Sequence, residues 1–275
     1  MLFVNTVRKI IGDRRRSVGS PNSGPRSCCV FLTATIAPPQ SAVARHDPRL
    51  RLQDYLASLE FYLTLPSGIV DRILFVDNSG SDITPVEEFV RKRVTDKVVE
   101  LISFEGNEHS VSLGKTYGEF RLLDFGLNHT SLLSENDHFW KVTGRLKVLN
   151  LADMVTAVTT HYDVLCDLHN FPFVGTGKVF DNRWMDLRVF SCTQSAYKKL
   201  FAGKYEELGP RMNQDVLYDV VMEARSHMNI LPRFLEQPVI SGVSGRHDRD
   251  YHSGLQRMKT VVRSGVRRCI PFIWV

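Results

Sequence analysis

The sequence predicts an α/β fold in which helices flank a mostly parallel sheet. Short apolar segments alternate with amphipathic segments of helical periodicity, and this alternation favours parallel strands joined by right-handed crossovers. The length of 275 residues, with 43% hydrophobic and 24% charged residues, is typical of a globular protein that can bury a full core. One domain with an appended carboxyl-terminal portion is the simplest organisation.

Four strands alternate with three helices in the first half of the chain. Leu52, Tyr55 and Leu59 share one face of the first helix, and Thr84-Pro85 opens the second with a proline in its first turn. Each apolar strand ends at a glycine or at polar residues, which marks a turn. The predicted strands are 29–36, 72–77, 98–104 and 138–143, and the predicted helices are 49–63, 84–94 and 114–127.

The second half repeats the same kinds of element with weaker patterns. The chain then ends in a loop rich in glycine and serine and in a basic tail. The predicted helices are 151–160, 195–208 and 213–225, and the predicted strands are 163–167 and 186–191.

The amino-terminal 27 residues are expected to be a flexible basic leader. Residues 12–27 combine Gly, Pro, Ser and Arg with almost nothing to bury, so the folded domain should begin at about Cys28.

Composition excludes several classes of protein. The five cysteines are scattered, odd in number and without a C-x-x-C spacing, which argues against a disulfide framework or a zinc knuckle. No apolar run approaches the roughly 20 residues of a membrane-spanning helix. A cytoplasmic protein is therefore expected. The net charge of +5 comes from the two ends of the chain, and no nucleic-acid-binding module accompanies it.

The carboxyl ends of the predicted strands are where a ligand should bind, because open parallel sheets bind ligands there. Asp77 ends an apolar strand and can accept hydrogen bonds from a ribose or a base, while Asn78, Ser79 and Gly80 can turn backbone N–H groups toward a ligand. An Asx turn that merely closes the strand explains the same residues equally well.

Gly114-Lys115-Thr116 resembles the end of a phosphate-binding loop, but that loop needs a glycine at position 109, which is His109. Lys115 can still serve a diphosphate, because it precedes a helix whose amino end favours anions and whose Gly118 permits close approach. The alternative is a solvated lysine near a helix start.

Three motifs in succession carry a family resemblance: Phe-Val-Asp-Asn-Ser-Gly at 75–80, Gly-Lys-Thr-Tyr-Gly-Glu at 114–119 and Lys-Val-Thr-Gly-Arg at 141–145. Over 31–245 the chain resembles glycosyltransferases of the GT-A fold, and more narrowly those of bacterial capsule and lipopolysaccharide O-antigen synthesis. The resemblance implies a Rossmann-like fold that moves a sugar from a nucleotide-sugar donor to a saccharide or polyprenol-linked acceptor. Residues 28–150 would then bind the nucleotide sugar, and 151–254 would form the acceptor and catalytic half.

The resemblance also implies which residues bind the donor. The first two strand ends would hold the nucleotide, and the helix start would face the diphosphate and sugar. The residues so assigned are Thr33, Thr35, Asp77, Asn78, Ser79, Lys115, Tyr117, Gly118, Glu119, Lys141, Thr143 and Gly144.

One departure from the family concerns the metal. GT-A enzymes commonly end the fourth strand in an Asp-x-Asp that holds a divalent cation, whereas this strand ends in Thr143-Gly144-Arg145. Arg145, aided by Lys115, can instead neutralise the departing diphosphate. Asp248-Arg-Asp250, between His247 and His252, is expected to be a solvated charged loop, and metal dependence is left open.

Asp215 is the predicted general base for an inverting transfer, because GT-A enzymes often keep that carboxylate at the start of a late helix. A carboxylate that only complements the helix dipole is the alternative.

The tail 255–275 mixes spaced arginines with apolar residues and can lie on an anionic membrane surface, which would place the protein peripherally on the inner face of the plasma membrane. A basic helix packed on the domain explains the tail equally well. Two rival functions stand beside glycosyl transfer: another nucleotide-using transferase, such as a nucleotidyltransferase, and a basic nucleic-acid-binding protein.

Overall fold

The computed structural model describes residues 6–12, 28–39, 43–170 and 182–243, together with position 265. Its centre is an eight-stranded sheet of order β1-β4-β3-β2-β5-β10-β7-β11. The strands are β1 Thr6–Ile11, β2 Cys28–Ala34, β3 Val70–Asp77, β4 Val98–Phe104, β5 His138–Thr143, β6 Leu146–Val148, β7 Val164–Leu165, β8 Leu168–Asn170, β9 Arg183–Met185, β10 Val189–Thr193, β11 Ile230–Leu231 and β12 Ile240–Gly242. The helices are α1 Pro48–Thr64, α2 Thr84–Arg91, α3 Gly114–His129, α4 Leu151–Ala157, α5 Gln194–Leu200, α6 Lys204–Leu208 and α7 Gln214–Ala224.

The middle of the sheet is parallel. β4, β3, β2 and β5 run in one direction, and β1 and β10 flank them as antiparallel strands. Every residue of β2 and β4 is buried, which explains why these strands appear in the sequence as continuous apolar runs instead of alternating ones.

Helices cover both faces of this sheet. One core packs α3, α5 and α7 against the sheet through residues such as Phe120, Tyr197 and Leu217. The other core packs α1, α2 and α4 through residues such as Leu59 and Val86. The predicted fold class, a mostly parallel sheet flanked by helices, is therefore confirmed.

The strand order reverses between β2 and β5. From β2 the chain continues through α1 to β3 and then to β4 on one side, whereas β5 lies on the other side of β2. α1 and α3 pack on opposite faces of the sheet, so a crevice forms at the carboxyl ends of β2 and β5. Such a topological switch point is where open α/β sheets bind ligands.

The amino-terminal region differs from the sequence interpretation, which placed all of 1–27 outside the folded domain. Thr6–Ile11 forms β1 and pairs with β4 along its whole length. Arg8 and Lys9 form ion pairs with Glu100 and Glu87, which join this strand to the domain, whereas 13–27 lie outside the described residues.

Smaller differences concern irregular backbone. The helix predicted over 195–208 is two helices, α5 and α6, because Gly203 adopts a left-handed conformation with φ of 74° between them. The short antiparallel partners β6 and β12 were not predicted, since three-residue strands carry almost no periodic signal.

Candidate functional site

A cavity of about 390 Å³ opens at the switch point. Its walls come from the ends of β2 and β5, the residues after β3 and β4, the start of α1 and the start of α3. Eight of the residues assigned from sequence line it: Thr33, Thr35, Asn78, Lys115, Gly118, Glu119, Thr143 and Arg145.

Arg51 and Tyr55 of α1 form one side of this cavity with Thr35. Asp47 caps α1 by accepting hydrogen bonds from the backbone of Arg49 and Leu50, which fixes where the helix begins. Arg51 is 4% exposed, and its Nε donates to the Thr35 carbonyl at 2.6 Å. The Tyr55 hydroxyl accepts from the Thr35 N–H at 2.8 Å and from Arg51 Nη2 at 3.0 Å. The chain leaving β2 is thus held by two buried side chains.

Gly144 and Arg145 extend β5 into the same space. The Gly144 N–H donates to the Thr33 carbonyl at 2.9 Å, and a Cβ at this position would lie 2.6 Å from that oxygen. Only glycine permits this approach. Arg145 Nη1 donates to the Val243 carbonyl at 2.7 Å, whereas its buried Nε has no hydrogen-bond partner within the described ranges.

The two arginines make the cavity electropositive. Burial lowers the pKa of Arg51, and the positive charge of Arg145 also acts to lower it. Two cations that face one cavity favour an anionic ligand.

Asp77 and Ser79 lie behind the cavity wall. The Asp77 carboxylate is fully buried and accepts from the N–H groups of Ile36 at 2.8 Å, Ser79 at 3.1 Å and Ser81 at 3.2 Å, and from the Ser103 hydroxyl at 3.2 Å. Burial raises the pKa of Asp77, and these donors act in the opposite direction. The arrangement matches the alternative of an Asx turn, and direct nucleotide contact by Asp77 stays a prediction.

Asn78 connects the β3 turn to the cavity. Its Oδ1 accepts from the Thr35 hydroxyl at 2.7 Å. Ser79 Oγ accepts from the Ala37 N–H at 3.1 Å, so the residues after β2 and β3 form one hydrogen-bonded unit.

The start of α3 forms the opposite side. Gly114 has φ of 80° and turns the chain into the helix, where Lys115, Gly118 and Glu119 line the cavity. Leu113 precedes the helix without a side-chain cap, so no side chain occupies the first N–H groups as Asp47 does in α1. Tyr117 lies beside the cavity, with its ring 5.1 Å from that of Tyr205.

Lys141 and Glu119 form an ion pair that joins β5 to α3. Lys141 is fully buried and also donates to the Leu187 carbonyl and to the Thr143 hydroxyl, the latter at 3.3 Å. Lys141 therefore positions Glu119 and does not itself line the cavity.

Asp215 is not brought together with these groups. It occupies the exposed first turn of α7, after the cap residue Asn213, and is not among the residues that line the cavity. Its assignment as general base stays a prediction.

Four polar residues of the cavity received no role from the sequence: Arg51, Tyr55, Asn107 and His109, of which Asn107 was located only as a residue that follows a strand end. Tyr55 had the helical spacing of a core residue, and nothing in a single sequence distinguishes a buried arginine in a first turn from a solvated one. His109 was noted only because it is not a glycine. The signal that could have identified it as a cavity residue is its position shortly before the predicted helix start.

The described lining residues do not fit a divalent cation. Glu119 is the one carboxylate among them, and it is paired with Lys141. Within the described ranges, no three His, Cys, Asp or Glu side chains cluster as metal ligands would. Asp248-Arg-Asp250, His247 and His252 lie outside those ranges, so metal dependence stays open.

The proposed membrane tail 255–275 also lies outside the described residues, apart from position 265. In the part of the chain that the structure does describe, no helix combines the length and apolar character needed to cross a membrane.

Comparisons with known proteins give limited likenesses. Neither a family model nor a curated protein sequence matches this chain. The inositol-1-phosphate CTP transferase from T. maritima is 17% identical with a TM-score of 0.46, over 87% of this chain and 97% of that one. A 4-diphosphocytidyl-2C-methyl-D-erythritol synthase from Anaerococcus prevotii is 9% identical with a TM-score of 0.47, over 87% and 96%. A putative glucose-1-phosphate thymidylyltransferase from Bacillus anthracis is 9% identical with a TM-score of 0.41, over 86% and 94%.

Proposed function

We propose that this protein is a transferase that binds a nucleotide or nucleotide sugar in the cavity at the switch point. The observation that carries the proposal is the position of the cavity, between the carboxyl ends of β2 and β5 and the start of α3. Its volume falls in the range of about 300–1,000 Å³ that is usual for small-molecule sites. Arg51, Arg145 and Lys115 supply positive charge for phosphate groups.

Glycosyl transfer is the finer form of this proposal. All three motifs that resemble the GT-A family contribute side chains to the one cavity: Asn78 from the first, Lys115 and Glu119 from the second, and Arg145 from the third. The acceptor hydroxyl would attack the anomeric carbon as the bond to the nucleoside diphosphate breaks. Arg145 would stabilise the charge that grows on the departing diphosphate, since a guanidinium offers fixed paired donors to phosphate oxygens.

The acceptor half of this reaction rests on sequence alone. We retain Asp215 as the group that takes the proton of the acceptor hydroxyl, and a saccharide or polyprenol-linked saccharide as the acceptor. An Asp215→Asn variant that turns over at the wild-type rate would remove Asp215 from the mechanism without affecting the nucleotide site.

Nucleotidyl transfer is the second candidate, and Arg51 is the observation that favours it. Together with Lys115, the two arginines bring more positive charge to one cavity than the charge of about −2 on a nucleotide-sugar diphosphate balances, and a nucleoside triphosphate carries about −4. In this reaction a phosphate oxygen of a sugar phosphate attacks the α-phosphorus, and pyrophosphate leaves with the electron pair of the broken bond.

Two labelled substrates distinguish these reactions. Nucleotide sugars labelled in the sugar are incubated with a lipid-linked saccharide fraction, and nucleoside triphosphates labelled at the α-phosphate are incubated with sugar 1-phosphates. Glycosyl transfer moves label to the acceptor and releases nucleoside diphosphate, whereas nucleotidyl transfer labels the sugar phosphate and releases pyrophosphate. Arg145→Ala should reduce whichever product forms. Wild-type protein that neither binds nor converts any of these compounds would refute the proposal.

A further inference from the structure

His109 lines the cavity, and none of the sequence motifs gives it a role. It lies on the segment between β4 and α3. Its Nδ1 is 3.3 Å from the Gly106 carbonyl, and the Gly106 N–H donates to the Asn78 carbonyl at 2.9 Å. The histidine is therefore connected through Gly106 to the turn that follows β3.

Gly118 leaves the space that the His109 ring occupies. A Cβ on Gly118 would lie 2.9 Å from Cε1 and 3.0 Å from Nε2 of the imidazole, closer than real Cβ contacts. The Tyr117 ring packs against the imidazole at 5.2 Å between centroids. These contacts direct Nδ1 toward Gly106 and place Nε2 beside Gly118 of α3.

This geometry determines what Nε2 can do. A carbonyl oxygen only accepts hydrogen bonds, so Nδ1 carries a proton when it bonds to Gly106. When the ring is also protonated at Nε2, that nitrogen becomes a charged donor beside the amino end of a 16-residue helix.

Other polar residues line the same cavity. Arg145 and Asn107 each have a buried donor, Nε and Nδ2, with no hydrogen-bond partner within the described ranges, and Lys115 adds a positive charge at the helix start. Buried donors of this kind favour a ligand rich in acceptor oxygens, because a buried donor without an acceptor is unfavourable.

We propose that His109 is a phosphate-binding residue, whose Nε2 donates to an oxygen of the diphosphate together with Lys115 and the first turn of α3. Gly118 is the positioning residue, because it admits the ring. The proposal rests on the proposed function for the identity of the ligand, a nucleoside diphosphate group. The subsite itself requires only a diphosphate.

Calorimetric titration with inorganic pyrophosphate tests the subsite without a nucleoside. The proteins are wild type, His109→Gln, Gly118→Ala and a control, His129→Gln. His129 suits the control because it is an exposed histidine at the other end of α3 whose Nδ1 also contacts a backbone carbonyl, that of Phe125 at 2.8 Å. His109→Gln should weaken pyrophosphate binding about tenfold, as expected for the loss of a charge-assisted hydrogen bond. Gly118→Ala should weaken it similarly although the histidine remains, and His129→Gln should bind as the wild type does.

Wild-type affinity in His109→Gln, or a wild type that binds no pyrophosphate, would overturn the inference. If Gly118→Ala lowers the urea midpoint, His109→Gln alone decides the outcome. Pyrophosphate binding that depends on His109, in a protein that binds no nucleotide, would leave the subsite standing and refute the proposed function. Nucleotide binding that is unaffected in His109→Gln would leave the proposed function standing and refute the subsite.

Discussion

The two sides of the cavity differ in how deeply their longest polar side chains are buried. One side, which we call the sheet wall, is formed where β2 and β5 end and α1 begins, by Thr35, Arg51, Tyr55, Gly144 and Arg145. The other side, which we call the helix wall, is formed before and within the start of α3, by His109, Lys115, Gly118 and Glu119. Arg51 and Tyr55 are 4% and 2% exposed and are bonded to each other and to the Thr35 backbone, whereas Lys115 is exposed. Arg51 and Tyr55 are thus part of the folded core, whereas Lys115 lies at its surface. Substitutions of Arg51, Tyr55 and Gly144 should therefore reduce stability, and substitution of Lys115 should reduce binding alone.

Asp77→Ala should have the largest effect, because Asp77 supports the sheet wall from behind. The change leaves the buried N–H groups of Ile36, Ser79 and Ser81 without their acceptor. We expect a loss of about 3–5 kcal/mol in the free energy of unfolding, measured with urea. Asp215→Ala removes an exposed carboxylate and should leave the unfolding curve nearly unchanged; equal losses in both variants would contradict the burial of Asp77.

Arg51→Met should reduce both the stability of the fold and the affinity for the ligand. Methionine fills much of the same space but donates no hydrogen bonds to the carbonyls of Thr35 and Arg45 or to the Tyr55 hydroxyl. We expect a loss of about 2–3 kcal/mol in unfolding free energy, together with weaker binding of nucleoside diphosphates in calorimetry. A variant that keeps full stability and loses only binding would place Arg51 with the helix wall.

Gly144→Ala tests the contact between the ends of β2 and β5. The added methyl group meets the Thr33 carbonyl at 2.6 Å and the Tyr55 ring at 3.2 Å, so one strand end must shift. We expect about 2 kcal/mol of destabilisation, as for an overpacked core position. Gly68→Ala is the matched control, because a Cβ there meets nothing within 4 Å. Its unfolding midpoint should stay near that of the wild type, and a similar loss in both variants would argue against the close approach.

Lys115→Met should have the smallest effect of these substitutions. It should lower the affinity for the ligand and leave the free energy of unfolding unchanged. The affinity for a nucleoside diphosphate should fall severalfold at low salt, and the affinity for the nucleoside should not change, because the lost interaction is with phosphate. Lys92→Met, on the exposed end of α2, controls for the general loss of one positive charge. Equal effects of the two substitutions would show that Lys115 contributes only through net charge.

The sequence predicted the elements that place the cavity because those elements carry strong periodic or apolar signals. The predicted strands 98–104 and 138–143 coincide with β4 and β5, and Gly114 begins α3 as expected. Open parallel sheets bind ligands at the carboxyl ends of their strands. Thr33, Asn78 and Thr143 were assigned to the site because they lie at such ends.

What the sequence could not predict depends on contacts between distant residues. The burial of Arg51 results from its packing under Thr35, and the partnership of Lys141 with Glu119 joins β5 to α3. β1 was missed for the same reason, since the partners of Arg8 and Lys9 lie about 80 to 90 residues along the chain.

Hydrogen–deuterium exchange in the presence and absence of the best-binding nucleotide or nucleotide sugar tests the central claim most directly. Ligand in the cavity at the switch point should slow exchange together in 33–38, 78–79, 107–119 and 143–146, with less change in Arg145→Ala. Protection confined to the groove around Glu60 and Lys97, or no protection in the cavity segments at saturating ligand, would contradict the account.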